Sequence, residues 1–358
     1  MKDIGSIFPL YDSDFVGLGA ETRITNVGNT IFYSLCRETF VVIAKHLDGT
    51  NRKVLLPAYT CDTIITPFKE QGWDCYYYPV DHKLKIDIDA VLALCSKLDF
   101  DLMVVHPYYG MDLSQKEITL LREVHSKGCK LVVDLTQCIF SKQRLDFADY
   151  YVGSYRKWFS IPDGAFLEAK TSSSIFVEEL HENEGFVSFQ MDAMYLRGLY
   201  FSSDNEEVKS ISRRLNKMAN DMVDANVQPH KMAMVSHQLL QKEDVEKNQQ
   251  RRLNNFRFLF EQLKGIDSCQ LLCDDMSRIS TAPLYFAIFV SGRSELQAEL
   301  AAQHIYAPVI WPVVYEEVLV NDVVKDIYDT ILAIPIDQRY DLNDMMKIVD
   351  IIKQYYHD

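Results

Sequence analysis

Two stretches of this sequence carry groups able to do covalent or electron-sink chemistry, and a third could hold an anion. Lys157 lies in Gly153-Ser154-Tyr155-Arg156-Lys157-Trp158-Phe159, followed by Pro162-Asp163-Gly164. A lysine amine condenses with a carbonyl to a Schiff base when its surroundings lower its pKa, and a nearby cation such as Arg156 pushes that way. A hydroxyl three residues earlier, Ser154, could hydrogen-bond a phosphate. Taken alone, Ser-x-x-Lys says little, because a solvated surface lysine is the ordinary case. The second stretch is Leu131-Val132-Val133-Asp134-Leu135-Thr136-Gln137. Asp134 ends an apolar run, an expensive place for a carboxylate without a partner. A pyridinium nitrogen would be such a partner, and the carboxylate would keep that ring protonated as an electron sink. A helix N-cap or a hydrogen-bonded core aspartate explains Asp134 equally well. The third stretch is Asn26-Val27-Gly28-Asn29-Thr30, where free N–H groups and the dipole of a helix start would favour an anion and Gly28 would allow close approach. Plain capping by Asn29 or Thr30 is the commoner explanation.

These residues need a scaffold, and the apolar pattern supplies one. A helix is expected from Thr30 to about His46, with Ile31, Leu35, Phe40 and Ile43 roughly on one face. Strands are then expected at Lys53–Leu56, Cys75–Val80, Leu102–His106 and Lys130–Asp134, separated by helices at Asp62–Gln71, Asp87–Lys97 and Ser114–Ser126. Tyr150–Gly153 and Ala165–Glu168 close the series as two short strands. Short strands alternating with helices predict an α/β fold, a mostly parallel sheet with helices on both faces. Ligands of such sheets bind outside the carboxyl ends of the strands, where Asp134 and Lys157 fall. Beyond residue 170 the chain turns polar and helical to about Leu263. A strand at Leu284–Val290, a helix near Glu295–Gln303, an apolar run Ile331–Ile336 and a last helix Leu342–Tyr356 follow. This predicts a large domain over 1–230, with residues 1–25 as an N-terminal arm, and a smaller C-terminal α+β domain over 231–358.

Composition narrows the function classes. The 358 residues carry 37 Lys plus Arg against 51 Asp plus Glu, a formal charge of −14. That surplus argues against a general nucleic-acid binder but leaves room for a local phosphate site. No apolar stretch is long enough to span a membrane and the start is polar, so the expected compartment is the cytoplasm. The 8 cysteines form no C-x-x-C pair, which speaks against a zinc ribbon or thioredoxin-like motif and for reduced thiols. No metal site is expected.

Taken in order, these stretches resemble the DegT-like sugar-aminotransferase family, a branch of the fold-type-I pyridoxal-phosphate enzymes. The resemblance rests on Gly28-Asn29-Thr30, Leu56-Pro57-Ala58-Tyr59-Thr60-Cys61, Val105-His106-Pro107-Tyr108-Tyr109-Gly110, Val133 to Gln137 and Ser154 to Lys157. Ile331 to Ile336 resembles the closing strand of the family. The resemblance implies pyridoxal 5'-phosphate held as a Schiff base on Lys157, which would also shuttle the substrate proton. It implies Asp134 at the pyridine nitrogen, Gln137 by the ring and its phenolic oxygen, and Ser154 with the backbone of Gly28, Asn29 and Thr30 as the phosphate cup. It further implies a homodimer with active sites at the subunit interface, and Asn216 or Asn220 could be the asparagine one chain lends the other. The activity implied is transfer of an amino group from a small-molecule donor such as glutamate to a keto-sugar, as in sugar biosynthesis.

Two departures bear on this. The family has a ring-stacking aromatic where this chain has Cys61, so Tyr59 or His106 would have to supply that face. The serine-to-lysine spacing is also shorter than in the sugar aminotransferases, which weakens the sugar-nucleotide reading. Another pyridoxal-phosphate reaction on an amino acid shares the same lysine and sink. A binding or regulatory protein without turnover is the rival from another class. Elsewhere, Ile310-Trp311-Pro312 reads as core packing or a substrate mouth. Arg339 reads as a solvated arginine or a carboxylate grip, and Arg251–Arg252 as a solvated helix face.

Overall fold

The computed structural model describes residues 3–18, 29–47, 51–170, 180–225, 227–266 and 269–357. In chain order the first half contains α1 (Asp12–Phe15), β1 (Thr30–Tyr33), α2 (Cys36–His46), β2 (Lys53–Pro57), α3 (Asp62–Glu70) and β3 (Asp74–Tyr78). Then come α4 (Ile88–Cys95), β4 (Leu102–Val105), α5 (Gln115–Ser126), β5 (Lys130–Asp134), β6 (Tyr150–Ser154) and β7 (Ala165–Ala169). The second half contains α6 (Glu184–Ser203), α7 (Glu206–Ala225), α8 (Met234–Gln241), α9 (Val245–Leu263), β8 (Gln270–Leu271) and β9 (Tyr285–Phe289). It ends with α10 (Arg293–Ala302), α11 (Asp322–Thr330), β10 (Ile331–Pro335) and α12 (Leu342–His357). Among the described residues no helix is long and apolar enough to cross a membrane.

One expected element is corrected. Thr30 does not begin a helix: Thr30–Tyr33 is a strand antiparallel to β7, with Thr30 opposite Glu168 and Tyr33 opposite Ala165. Its β-branched and aromatic residues suit a pleated surface. The helix begins at Cys36, where Glu38 turns back to accept the Leu35 N–H at 3.2 Å.

Of the chain's two units, one has the strand order β1-β7-β6 and the other β5-β4-β2-β3. β3, β2, β4 and β5 run parallel, while β6–β7 and β7–β1 are antiparallel. The expected mostly parallel α/β sheet is therefore present. β4 is buried along its whole length and β5 beyond its first residue, which is why both read as unbroken apolar runs.

The chain forms two compact units, each assembled from separate stretches. One comprises mainly Ser6–Asp48 and Tyr150–Asp244, and so holds β1, β6, β7, α2 and α6 to α8. Its helical part packs Leu35, Phe186, Val187, Ala219, Val223 and Ala233 together. Leu10 donates its N–H to Met194 O, and a Cβ on Gly198 would strike Leu10 O at 2.2 Å, so the N-terminal segment can lie on α6 only because residue 198 is glycine.

The other unit holds Gly49–Asp149 and Val245–Asp358, joined by Asp3–Gly5. Besides the four parallel strands it contains a three-stranded antiparallel sheet, β10-β9-β8. This is the expected α+β part. Leu259 of α9, Ile288 of β9, Leu300 of α10 and Ile348 of α12 share its core. Arg252 is not on a solvated face but 1% exposed, donating Nε–H to Gln338 Oε1 at 2.8 Å and Nη1–H to Leu284 O at 3.1 Å. Burial lowers its guanidinium to about 10. All 8 cysteines are free thiols.

Candidate active site

In the unit with the parallel strands, the expected site residues gather at strand ends. β2 ends at Pro57, and the segment Ala58-Tyr59-Thr60 leads into α3, with Cys61 as its N-cap. Tyr328 of α11 holds this segment by its backbone. Its hydroxyl accepts the Thr60 N–H at 3.0 Å and lies 3.0 Å from Ala58 O and 3.1 Å from Thr60 O. The Thr60 hydroxyl is thereby fixed 2.9 Å from His106 Nε2, just past the end of β4. His106 Nδ1 in turn lies 3.5 Å from Asp134 Oδ2 at the end of β5. Asp134 Oδ1 accepts the Thr136 N–H at 2.8 Å. All three side-chain carriers are buried, at 2% for Thr60, 7% for His106 and 3% for Asp134. This line gives a buried carboxylate a polar surrounding and sets the imidazole plane.

Gln137 stands one turn beyond Asp134. Its Oε1 accepts the Tyr109 N–H at 3.2 Å, while its Nε2 is buried with no hydrogen-bond partner among the described residues. A buried amide left half-satisfied costs about 1–3 kcal/mol, so such a donor is a place where a bound acceptor belongs. The Tyr109–Gly110 turn presents that N–H through left-handed backbone, with φ of 47° and 80°.

Aromatic rings close the region. Tyr59 has no exposed surface; its ring centroid lies 5.7 Å from Tyr108, 5.1 Å from Tyr328 and 5.3 Å from Trp311. Its hydroxyl is 3.4 Å from that of Tyr109, and burial drives its pKa well up. Trp311, half-buried, also lies 5.9 Å from the His106 ring. It therefore packs on two of the expected site residues. Cys61 is 9% exposed, and its sulfur accepts the Thr63 hydroxyl at 2.9 Å.

In the other unit, Ser154 is the last residue of β6 and 1% exposed, and Lys157 ends a short 3-10 turn with its side chain exposed. Arg156 turns its guanidinium over the Phe186 ring at 5.8 Å. Burial, helped by Arg37, lowers its pKa to about 10. Gly28 lies outside the described residues. Asn29 and Thr30 open strand β1, so the helix-start argument for an anion site there does not hold; the helix N-terminus falls at Leu35–Cys36 instead. On α7, Asn220 donates its amide to Asn216 O at 2.7 Å. Arg339 grips Asp337 through two hydrogen bonds of 2.7 and 2.8 Å and so is not a solvated arginine.

Tyr59, Thr60, Cys61, His106, Asp134 and Ser154 thus all lie at or just past the carboxyl end of their own strands, where open α/β sheets bind ligands. Tyr328 was missed by sequence reasoning. It belongs to a helix started by Asn321, which accepts the Val324 N–H at 2.9 Å, with Asp322 in the first turn.

The chain is an α/β protein whose fold is similar to that of solved aminotransferases. Its likeness to solved structures is extensive. An aminotransferase of the DegT DnrJ EryC1 StrS type from Brucella abortus matches with a TM-score of 0.64 over 93% of this chain and 87% of its own, at 15% identity. Helicobacter pylori PseC, an aminotransferase involved in the biosynthesis of pseudoaminic acid, matches with a TM-score of 0.67 over 99% of this chain and all of its own, at 11% identity. DesI, whose structure was determined in the presence of its TDP-sugar product, matches with a TM-score of 0.65 over 92% of this chain and 81% of its own, at 13% identity. At such identities the likeness establishes the fold. No protein-family model and no curated protein matches the sequence.

Proposed function

We propose that this chain is a pyridoxal-phosphate-dependent aminotransferase that moves an amino group from an amino acid such as glutamate to a keto-sugar, with a nucleotide sugar as the acceptor class. The observation that carries the reading is the pairing of Asp134, backed by His106, with the unsatisfied Nε2 of Gln137 in one buried strand-end cluster. A carboxylate and a spare amide donor suit a protonated ring nitrogen and a phenolate oxygen on one planar ligand. When bound, pyridoxal phosphate supplies a reactive aldehyde and a ring that draws electrons from the substrate carbon.

The residues divide the remaining work. Lys157 would contribute the amine that holds the cofactor and would move the substrate proton. Asp134, oriented by His106 and Thr60, would accept the ring N–H. Gln137 Nε2 would donate to the phenolic oxygen. The Ser154 hydroxyl would donate to the phosphate. With no aromatic at Cys61, His106 would offer a face to the ring; Tyr59, the other candidate, has no exposed surface. The sugar acceptor is supported by the DesI and PseC likenesses, and a homodimer by the family resemblance.

The test is spectroscopic. Added pyridoxal phosphate is expected to give an absorbance band near the visible edge, and borohydride is expected to fix it on Lys157, read by peptide mass. Lys157→Ala is expected to lose both. Incubation with glutamate should convert the cofactor to pyridoxamine phosphate, and a keto-sugar nucleotide should reverse it. No band and no trapped peptide in the unmodified protein would overturn the reading.

A further inference from the structure

Lys157 rides on residues 155–164, the connection between β6 and β7, which is anchored at several points. Gly164 closes its base. The N–H groups of Tyr155 and Arg156 donate to Gly164 O at 2.9 and 3.2 Å, and Gly164 N–H donates to Ser34 O at 2.7 Å. Gly164 has φ of +139°, and a Cβ there would meet Met232 Cε at 2.9 Å, so this closure requires glycine. Trp158, Phe159 and Ile161 plug the connection into the interior, at 0%, 2% and 2% exposure.

Between plug and base sits Asp163, 0% exposed. Its carboxylate accepts the Ala233 N–H, with Oδ2 at 3.1 Å and Oδ1 at 3.3 Å. Its own N–H donates to Ser236 Oγ at 3.4 Å, and the Ser236 hydroxyl also favours the charged carboxylate. Ala233 is the N-cap of α8 and Ser236 lies in its first turn, so Asp163 occupies the positive end of that helix. The approach to α8 is itself stitched to β1, through Ser34 N–H to His230 O at 2.9 Å and Met232 N–H to Phe32 O at 3.3 Å. Burying a carboxylate is expensive, and its hydrogen-bonding neighbours do not fully offset it: burial, with Glu38 nearby, raises Asp163 to about 7. A group so placed gives geometry rather than stability.

We propose that Asp163 is the positioning residue of Lys157, fixing the 155–164 connection to the start of α8 so that the lysine amine is presented in one direction. This rests on the reading of Lys157 as the point of covalent attachment. The test compares two ligands. Pyridoxal phosphate can bond to Lys157, whereas pyridoxamine phosphate cannot. In Asp163→Ala, pyridoxal phosphate is expected to bind at least about tenfold more weakly and to be trapped by borohydride correspondingly more slowly, while pyridoxamine phosphate stays within about twofold of the unmodified protein. Asp163→Asn, which keeps an acceptor for Ala233 N–H, is expected to restore pyridoxal phosphate binding. Ser236→Ala, a milder change, is expected to show the same divergence in smaller measure and carries the test if Asp163→Ala does not fold. Equal losses for both ligands, or no loss for either, would overturn the positioning role. If the unmodified protein traps no cofactor on Lys157, the attachment reading itself fails and this proposal with it.

Discussion

Replacing Asp163 by asparagine alters one buried group without changing its shape, and its effect on the pH dependence of stability can be worked out. Burial raises the folded-state pKa to about 7 from 3.8. Between these values the folded protein holds a proton that the unfolded chain has released, so stability falls as pH rises through the window. The loss is complete somewhat above pH 7. A shift of about three units at 1.36 kcal/mol each makes the ionised carboxylate a liability of about 4 kcal/mol. Glu38, raised chiefly by burial, and His230, raised chiefly by its hydrogen bond to Glu38, act in the same direction. Both remain in Asp163→Asn, so the difference between the two proteins reads position 163 together with its charge coupling to Glu38 and His230. Urea unfolding of each at pH 5 and pH 8 is the assay. The stability gap in favour of Asp163→Asn is expected to widen by about 2–3 kcal/mol between these pH values. Parallel pH curves would refute the reasoning, because they would mean that Asp163 carries no extra proton in the folded state.

Two further outcomes are expected. Thr60→Val removes the hydroxyl 2.9 Å from His106 Nε2 and should lower stability by about 1 kcal/mol in urea unfolding, whereas Thr60→Ser should be nearly silent. Asp337→Ala strips the buried Arg339 of its carboxylate and should cost about 3–5 kcal/mol. Asp337→Ala combined with Arg339→Met should recover much of that loss, measured the same way.

The parts of the fold that show in the sequence are those whose burial is uniform. β4 and β5 read correctly because both faces are covered, so Leu102–Val105 and Leu131–Val133 are unbroken apolar runs bounded by polar residues. β1 did not show, because Thr30–Tyr33 runs into an apolar helix and its partner β7 is far along the chain. Nothing local marks that boundary. Asp134 stood out as a polar residue ending an apolar strand, whereas Gln137 was singled out only by the family resemblance. The Thr60–His106 contact joins residues 46 apart, and the Tyr328 clamp joins residues 268 apart, distances that no local pattern encodes. Arg252 was misread for a subtler reason. Adjacent arginines on a helix point about 100° apart, so one of the pair can face the core while the other stays in water.

The antiparallel match of β1 with β7 also has a consequence in time. Tyr33 pairs with Ala165, so during synthesis this strand waits for a partner 132 residues further on. At ribosomal speeds of about 5–20 residues per second, the Thr-Ile-Phe-Tyr segment spends about 7–26 s without its neighbour. For that interval it is an open strand edge of the kind that chaperones cover, which makes the nascent chain most vulnerable to aggregation before β7 leaves the ribosome.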